Sequence, residues 1–222
     1  MKKLAQIINK HLVIVIISII SGTISAQNIG TVFLNMPENF MPTLTKQQRF
    51  ELLEYSKVNR NDSVKNRFGN FSSVQIYDSI NHHLIVKTTP ISYVELKLLA
   101  IKDTDYVIGI IRTIKSPVSL SDIEFYDKNW QTVPLHFQMP KATDWLKHDS
   151  LNRENIDKKW VSQLLESSFI SLNFSKTGSA IEARNNSLDF LSIEDKKIIS
   201  PLIDDKKLIF ELQNNEWKIS EQ

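Results

Sequence analysis

Hydrophobic and polar positions alternate most clearly between residues 84 and 134, where short runs joined by turn residues predict a meandering antiparallel sheet. In Tyr93-Val94-Glu95-Leu96-Lys97-Leu98-Leu99, Val94, Leu96 and Leu98 share one side and Glu95 and Lys97 the other. Successive side chains of a strand point to opposite faces, so this spacing predicts a half-buried strand. Lys102-Asp103-Thr104-Asp105 reads as a polar reverse turn. In residues 106–114 both parities are mostly apolar, which suits a strand inside the sheet with both faces covered. Gly109 in that run marks a bulge or a close neighbouring backbone. Ser116-Pro117 ends it, because proline has no N–H for the ladder. Ile123 and Phe125 resume the alternation in residues 121–126. Asp127-Lys128-Asn129 then turns the chain, and residues 130–133 are expected to return as a second hairpin arm that stops at Pro134.

Around this meander the period changes. Thr31-Val32-Phe33-Leu34-Asn35 is a short apolar segment broken at Met36-Pro37. Thr45-Lys46-Gln47-Gln48 has the pattern of a capping box, and Leu52 joins Phe50 and Leu53 at helical spacing. Together they predict a helix over 46–58 with its apolar stripe on the sheet. Residues 66–70 form a turn around Gly69, and 74–77 with 83–87 a hairpin across 78–81. Residues 136–155 are polar, contain Pro140 and read as a linker or long surface loop. Beyond them, Ile156, Trp160, Leu164 and Leu165 predict a helix over 155–166, and 169–174 a strand with a partner at 180–183. Ser192 caps a short helix through Ile198, and 207–212 with 217–219 make a closing hairpin. Trp130 and Trp217 each open the return arm of a hairpin, which fits either two related units or the ordinary preference of aromatics for strands. The fold class is therefore α+β: an antiparallel meander sheet packed by an N-terminal helix, with a second, smaller helix-and-hairpin half beyond 136–155.

The first 26 residues stand apart. Lys2, Lys3 and Lys10 precede the uncharged run 12–20, and Ser21-Gly22-Thr23-Ile24-Ser25-Ala26 supplies mainly small residues. That order predicts a secretory signal peptide over 1–26, cut between Ala26 and Gln27, and a single exported domain over 27–222. An uncleaved anchor is the rival, but the greasy run is shorter than the roughly 18 residues a spanning helix requires. Removing the leader takes away three lysines and no acids, so a precursor of net charge +2 becomes a body of −1. The body offers no global polycation to nucleic acid, and no stable membrane span is expected after cleavage. The chain has no cysteine, which excludes disulfides, thiolate metal sites and a lipidated cysteine.

Catalytic signatures are lacking. Five glycines supply no phosphate-cradling loop. His82 and His83 are adjacent in an expected strand, so they point apart and cannot chelate one ion. His148-Asp149-Ser150 is contiguous, whereas a triad is assembled from separate elements. The acid pairs Asp204-Asp205 and Glu194-Asp195 sit beside lysines and read as solvated faces. No catalytic, cofactor-binding or metal residue is assigned, and no cofactor is expected. Of Trp130, Trp145, Trp160 and Trp217, packing is the default reading, with Trp145 the expected exception because its surroundings are polar. Lys57, Arg60, Lys65 and Arg67 crowd the link after the first helix, either as a solvated connection or as an anion contact. Three Asp-Ser-aliphatic triplets, at Ser63, Ser79 and Ser150, fall in expected loops where composition alone would supply roughly one. Asp-Ser is also good turn chemistry.

Met36-Pro37 with Pro42-Thr43-Leu44-Thr45-Lys46, Lys65-Asn66-Arg67-Phe68-Gly69, Glu95-Leu96-Lys97-Leu98-Leu99, Ser116-Pro117-Val118 and Ser121-Asp122-Ile123-Glu124-Phe125-Tyr126 followed by Trp130 give the chain a family likeness. It resembles an uncharacterised family of exported Bacteroidales proteins known only as a domain of unknown function, most closely before Pro134. The resemblance carries no catalytic assignment. It does imply a general O-glycosylation system acting on Asp-Ser/Thr-aliphatic sites, and so Ser63, Ser79 and Ser150 as glycan carriers. The resulting expectation is a non-enzymatic, periplasmic or extracellular envelope protein that binds a protein partner or a glycan. The alternatives are a periplasmic hydrolase whose site is assembled from distant residues, and a grip on anionic envelope lipid or polysaccharide by Lys57, Arg60, Lys65 and Arg67.

Overall fold

The computed structural model describes residues 28–58, 62–100, 106–147 and 157–220. The expected leader, the turn at 102–105, Arg60 and the His148-Asp149-Ser150 run lie outside them. The apolar segment after the leader is a helix, α1 (Ile29–Asn35), whose N-cap Asn28 accepts the Gly30 N–H through Oδ1 at 2.8 Å. Ile29, Val32 and Phe33, three and four residues apart, are its buried side. Helix α2 (Lys46–Lys57) starts on the expected capping box. The Gln48 N–H reaches Thr45 Oγ1 at 3.1 Å, and the Thr45 N–H reaches Gln48 Oε1 at 2.8 Å. Leu52 and Leu53 face inward, whereas Phe50, expected in the stripe, is exposed.

Six antiparallel strands follow in sequence order: β1 (Ser63–Lys65), β2 (Phe71–Asp78), β3 (His83–Lys87), β4 (Ser92–Leu99), β5 (Val107–Ile114) and β6 (Leu120–Tyr126). After helix α3 (Lys158–Leu164) come β7 (Ile170–Phe174) and β8 (Ile181–Asn185). Helix α4 (Ile193–Ile199) leads to β9 (Leu208–Gln213) and β10 (Glu216–Ile219). The last four strands form a second antiparallel sheet in the order β10-β9-β8-β7. The architecture is α+β, as the periodicity predicts.

The period of two sorts the large sheet between two cores. On one face Leu84, Val86, Val94, Leu96, Ile108 and Ile110 pack against Ile29, Phe33, Leu52 and Leu53 of the two N-terminal helices. On the other, Leu99, Val107, Ile111 and Phe125 join Ile170, Leu172, Phe174, Ile181 and Phe210 of the second sheet. The large sheet is thus the middle layer, and β4 is covered on both sides.

Three expectations are corrected. Residues 130–133 are not a strand. Asp127 Oδ1 accepts the N–H groups of Asn129 and Gln131, both at 2.8 Å, which winds the chain into a turn with Trp130 at φ 64°. Only a single bridge, Tyr126 to Thr132, survives, and Trp130 packs on Phe40 and Tyr126 instead. The parallel with Trp217, which does lie in a strand, goes with it. Secondly, residues 136–147 are not a loose surface loop: Phe137, Ala142 and Trp145 are buried in the second core. Trp145, expected to be the exposed tryptophan, is 1% exposed, its indole N–H held by the Lys206 carbonyl at 2.7 Å. That bond removes the polar penalty that would otherwise keep an indole at the surface. Lastly, β4 is not half-buried, because Glu95 and Lys97 are 3% and 1% exposed.

A cleft between the two sheets

Covering Glu95 and Lys97 has a structural cause. β7 is the edge strand of the second sheet, and an edge leaves backbone groups without ladder partners. The large sheet supplies them from its side chains. The Phe174 N–H donates to Glu95 Oε1 at 2.9 Å, and the Leu172 N–H donates to Ser121 Oγ at 3.0 Å. Asn173 Nδ2 donates to Glu95 Oε2 at 3.0 Å, and His83 Nε2 lies 2.7 Å from Glu95 Oε1. A carboxylate only accepts, so His83 is the donor there through its Nε2–H. Lys97 Nζ donates to the carbonyls of Ser175 and Lys176, both at 3.1 Å, just past the end of β7. Burial pushes the Lys97 pKa down, partly offset by Asp78 and Glu95. Between these polar pegs, Gly109 leaves room for the Phe174 ring, whose Cζ would lie 2.5 Å from any Cβ at that position.

Beside this joint the sheets part into a cleft of about 540 Å³. Its large-sheet wall carries Gln75, Ile76, Ile85, Tyr93, Thr113 and Lys115. The opposite wall carries Ser171, Asn173, Glu182, Arg184 and Asn186, with Lys207 immediately before β9. Register explains the second set. In β8, Ile181 and Ala183 turn into the core, so the alternate residues Glu182 and Arg184 emerge on the other face. Asn186 ties the walls at one end, donating to the Ser119 carbonyl at 3.1 Å and to Ser171 Oγ at 2.9 Å. The Lys115 N–H is held by the Ile91 carbonyl, and its ammonium lies 3.9 Å from the centroid of the Tyr93 ring.

Charges in the cleft do not cancel. Glu95 is occupied by His83, Asn173 and the Phe174 N–H, and Glu182 is paired with Lys207. Lys115 has its contact with Tyr93 but no carboxylate, and Arg184 has no ion pair among the described residues.

The sequence-derived site residues fall elsewhere. Lys57 pairs with Glu54 and Arg67 with Glu38, each at 2.6 Å, while Lys65 is exposed in β1. Ser63 is exposed at the start of β1, but the adjoining Val64 is buried, so that triplet is not displayed whole. Asp78-Ser79-Ile80 is a surface turn: the Asp78 carboxylate takes the N–H groups of Ile80 and Asn81, and Ile80 is 87% exposed. Those bonds hold the Asp78 pKa below its ordinary value, with the Asn81 contacts first. Of the two adjacent histidines, His83 is in the joint, while His82 sits in the preceding turn with φ 50°. Asp204 pairs with Lys206, and Asp195 caps back onto Ser192. Among the described residues no group of three or more His, Asp or Glu side chains has the arrangement of a metal site. The residues that the sequence did not single out, Lys115, Arg184, Asn173 and Asn186, come from strand ends far apart in the chain, and no spacing announces them.

No curated protein matches the sequence. A solved domain of an uncharacterized protein from Porphyromonas gingivalis W83 has the same fold, with a TM-score of 0.72 over 87% of this chain and 98% of that one, at 18% identity. The match of residues 21–217 to the family described as "Protein of unknown function (DUF3256)" shows that this chain belongs to it.

Proposed function

We propose that the chain is an exported cell-envelope protein that binds a ligand in the cleft between its two sheets. The observation that carries this reading is that the cleft gathers polar and charged side chains from both halves onto one concave surface, with Lys115 and Arg184 outside any ion pair among the described residues. Its volume of about 540 Å³ is in the range typical of small-molecule sites, roughly 300–1,000 Å³. The leader-like order of residues 1–26 is what supports export. No helix among the described residues is long and apolar enough to cross a membrane. Binding is favoured over hydrolysis because the one buried acid at the cleft, Glu95, has its oxygens taken up by three donors that fasten the sheets. The serines of the cleft, Ser119 and Ser171, have no histidine beside them in its lining.

The test uses protein spanning residues 27–222, immobilised and exposed to envelope extract, against a Gln75→Trp variant that fills the cleft from an exposed strand position. Material held by the unaltered protein and released by the variant is the expected result. Equal retention by both, or none by either, removes the cleft as the site.

The exposed turn supports a second, independent reading, in which Ser79 carries a glycan. Its triplet is displayed whole, unlike that at Ser63. Intact mass of protein from the native host should exceed the polypeptide mass and drop on Ser79→Ala. A bare polypeptide mass refutes it.

A further inference from the structure

Resting on the cleft as the ligand site, we infer that its ligand is an anionic saccharide, held by Lys115 and Arg184 through a carboxylate or sulfate group. Charge balance is the first argument. Both acids of the cleft are committed, Glu95 to the sheet joint and Glu182 to Lys207, which leaves two cations on opposite walls with no carboxylate partner among the described residues. The guanidinium of Arg184 presents a planar fork that matches a carboxylate or sulfate edge. Lys115 is held in place by its contact with the Tyr93 ring rather than by an acid, so an incoming anion displaces no ion pair.

The rest of the lining decides what carries the anion. Gln75, Asn173 and Thr113 each spend one hydrogen bond within the protein, on Ser73, Glu95 and Ser121, and the remaining amide N–H and carbonyl groups of Gln75 and Asn173 suit several hydroxyls on one ligand. Ile76 and Ile85 are half-buried and give the C–H face of a pyranose an apolar floor. An inorganic anion would leave most of a space of about 540 Å³ unfilled. A nucleobase needs an open aromatic face, whereas the Tyr93 face is occupied by Lys115. A sugar acid fits both the charges and the neutral surface between them.

Titration calorimetry on residues 27–222 with trigalacturonate, a heparin-derived sulfated disaccharide, uncharged galactotriose and inorganic phosphate tests this. At least one charged saccharide should bind, with affinity that weakens as salt rises. It should fall about tenfold or more in Lys115→Gln/Arg184→Gln, a loss of about 1.4 kcal/mol. Both side chains are exposed, so the urea midpoint of that variant should not move. Galactotriose binding as tightly as trigalacturonate overturns the anionic part and leaves the cleft standing. Phosphate binding as tightly overturns the saccharide part. Binding of neither charged saccharide overturns the ligand class, while the Gln75→Trp comparison judges the cleft separately.

Discussion

Glu95 shows how one side chain can change meaning between chain and fold. Alternating with Val94 and Leu96, it reads as a solvent-facing residue, yet it accepts from His83, Asn173 and the Phe174 backbone in a nearly dry joint. Removing one partner from such a site strands the others, and deletion of a buried charged partner typically costs about 3–5 kcal/mol. Glu95→Ala should therefore lower stability to urea by roughly that amount. Combined with His83→Ala it should lose less than the sum of the two single changes, because neighbours in one network couple. Additive losses would show that the contact at 2.7 Å carries no energy. Gly109 makes the steric counterpart: Gly109→Ala should cost about 1–3 kcal/mol, since the Phe174 ring stands where the methyl group would go. Phe174→Leu should return part of that loss in the double variant.

At the scale of elements, α2 and β4 contrast. The helix start was legible because a capping box is a local device, formed by residues three apart whatever the rest of the chain does. Thr45→Ala should cost about 1 kcal/mol by thermal or urea unfolding, the usual price of a lost cap. In β4 the alternation placed the residues on the right faces but not in the right surroundings. Lys97 makes this measurable through pH. Its folded pKa is depressed by burial below the ordinary 10.5, so the unfolded chain holds the proton more tightly. Stability contributed by this residue then rises with pH, from the depressed value up to about 10.5. The stability difference between the unaltered protein and Lys97→Met should shift toward the unaltered protein over that window. A difference independent of pH would contradict the buried ammonium. The turn expected over Asp127-Lys128-Asn129 runs on through Trp130 for a related reason. Asp127 can either end a strand briefly or wind several N–H groups around its carboxylate, and the strand pattern of the next residues did not choose between them.

The whole molecule is organised by the shared middle sheet. Because Leu99, Val107, Ile111 and Phe125 share their core, among the described residues, with the second sheet and its connections, the first half does not have a complete core of its own. Urea unfolding followed by tryptophan fluorescence and by circular dichroism should therefore give one coincident transition. A fragment ending at residue 147 should bind a hydrophobic dye or aggregate rather than fold. Two separated transitions, or a well-folded fragment, would show two independent lobes.

Sequence alone determined the secondary elements with local signatures: the capped helix, the strands of the meander, the Gly69 turn and the closing hairpin. Their information lies within a few residues, in period, caps and turn chemistry, so no tertiary contact was needed to read it. It also located the serine triplets, of which the turn at Ser79 is displayed whole. Only the tertiary structure decided that β7 lies against β4, and with it the burial of Glu95, Lys97 and Trp145 and the position of the cleft. Sheet-on-sheet contact pairs residues nearly eighty positions apart, as Glu95 with Phe174. A polar side chain that satisfies a distant backbone N–H has the same local pattern as one that faces water, which is why that joint could not be seen in the chain.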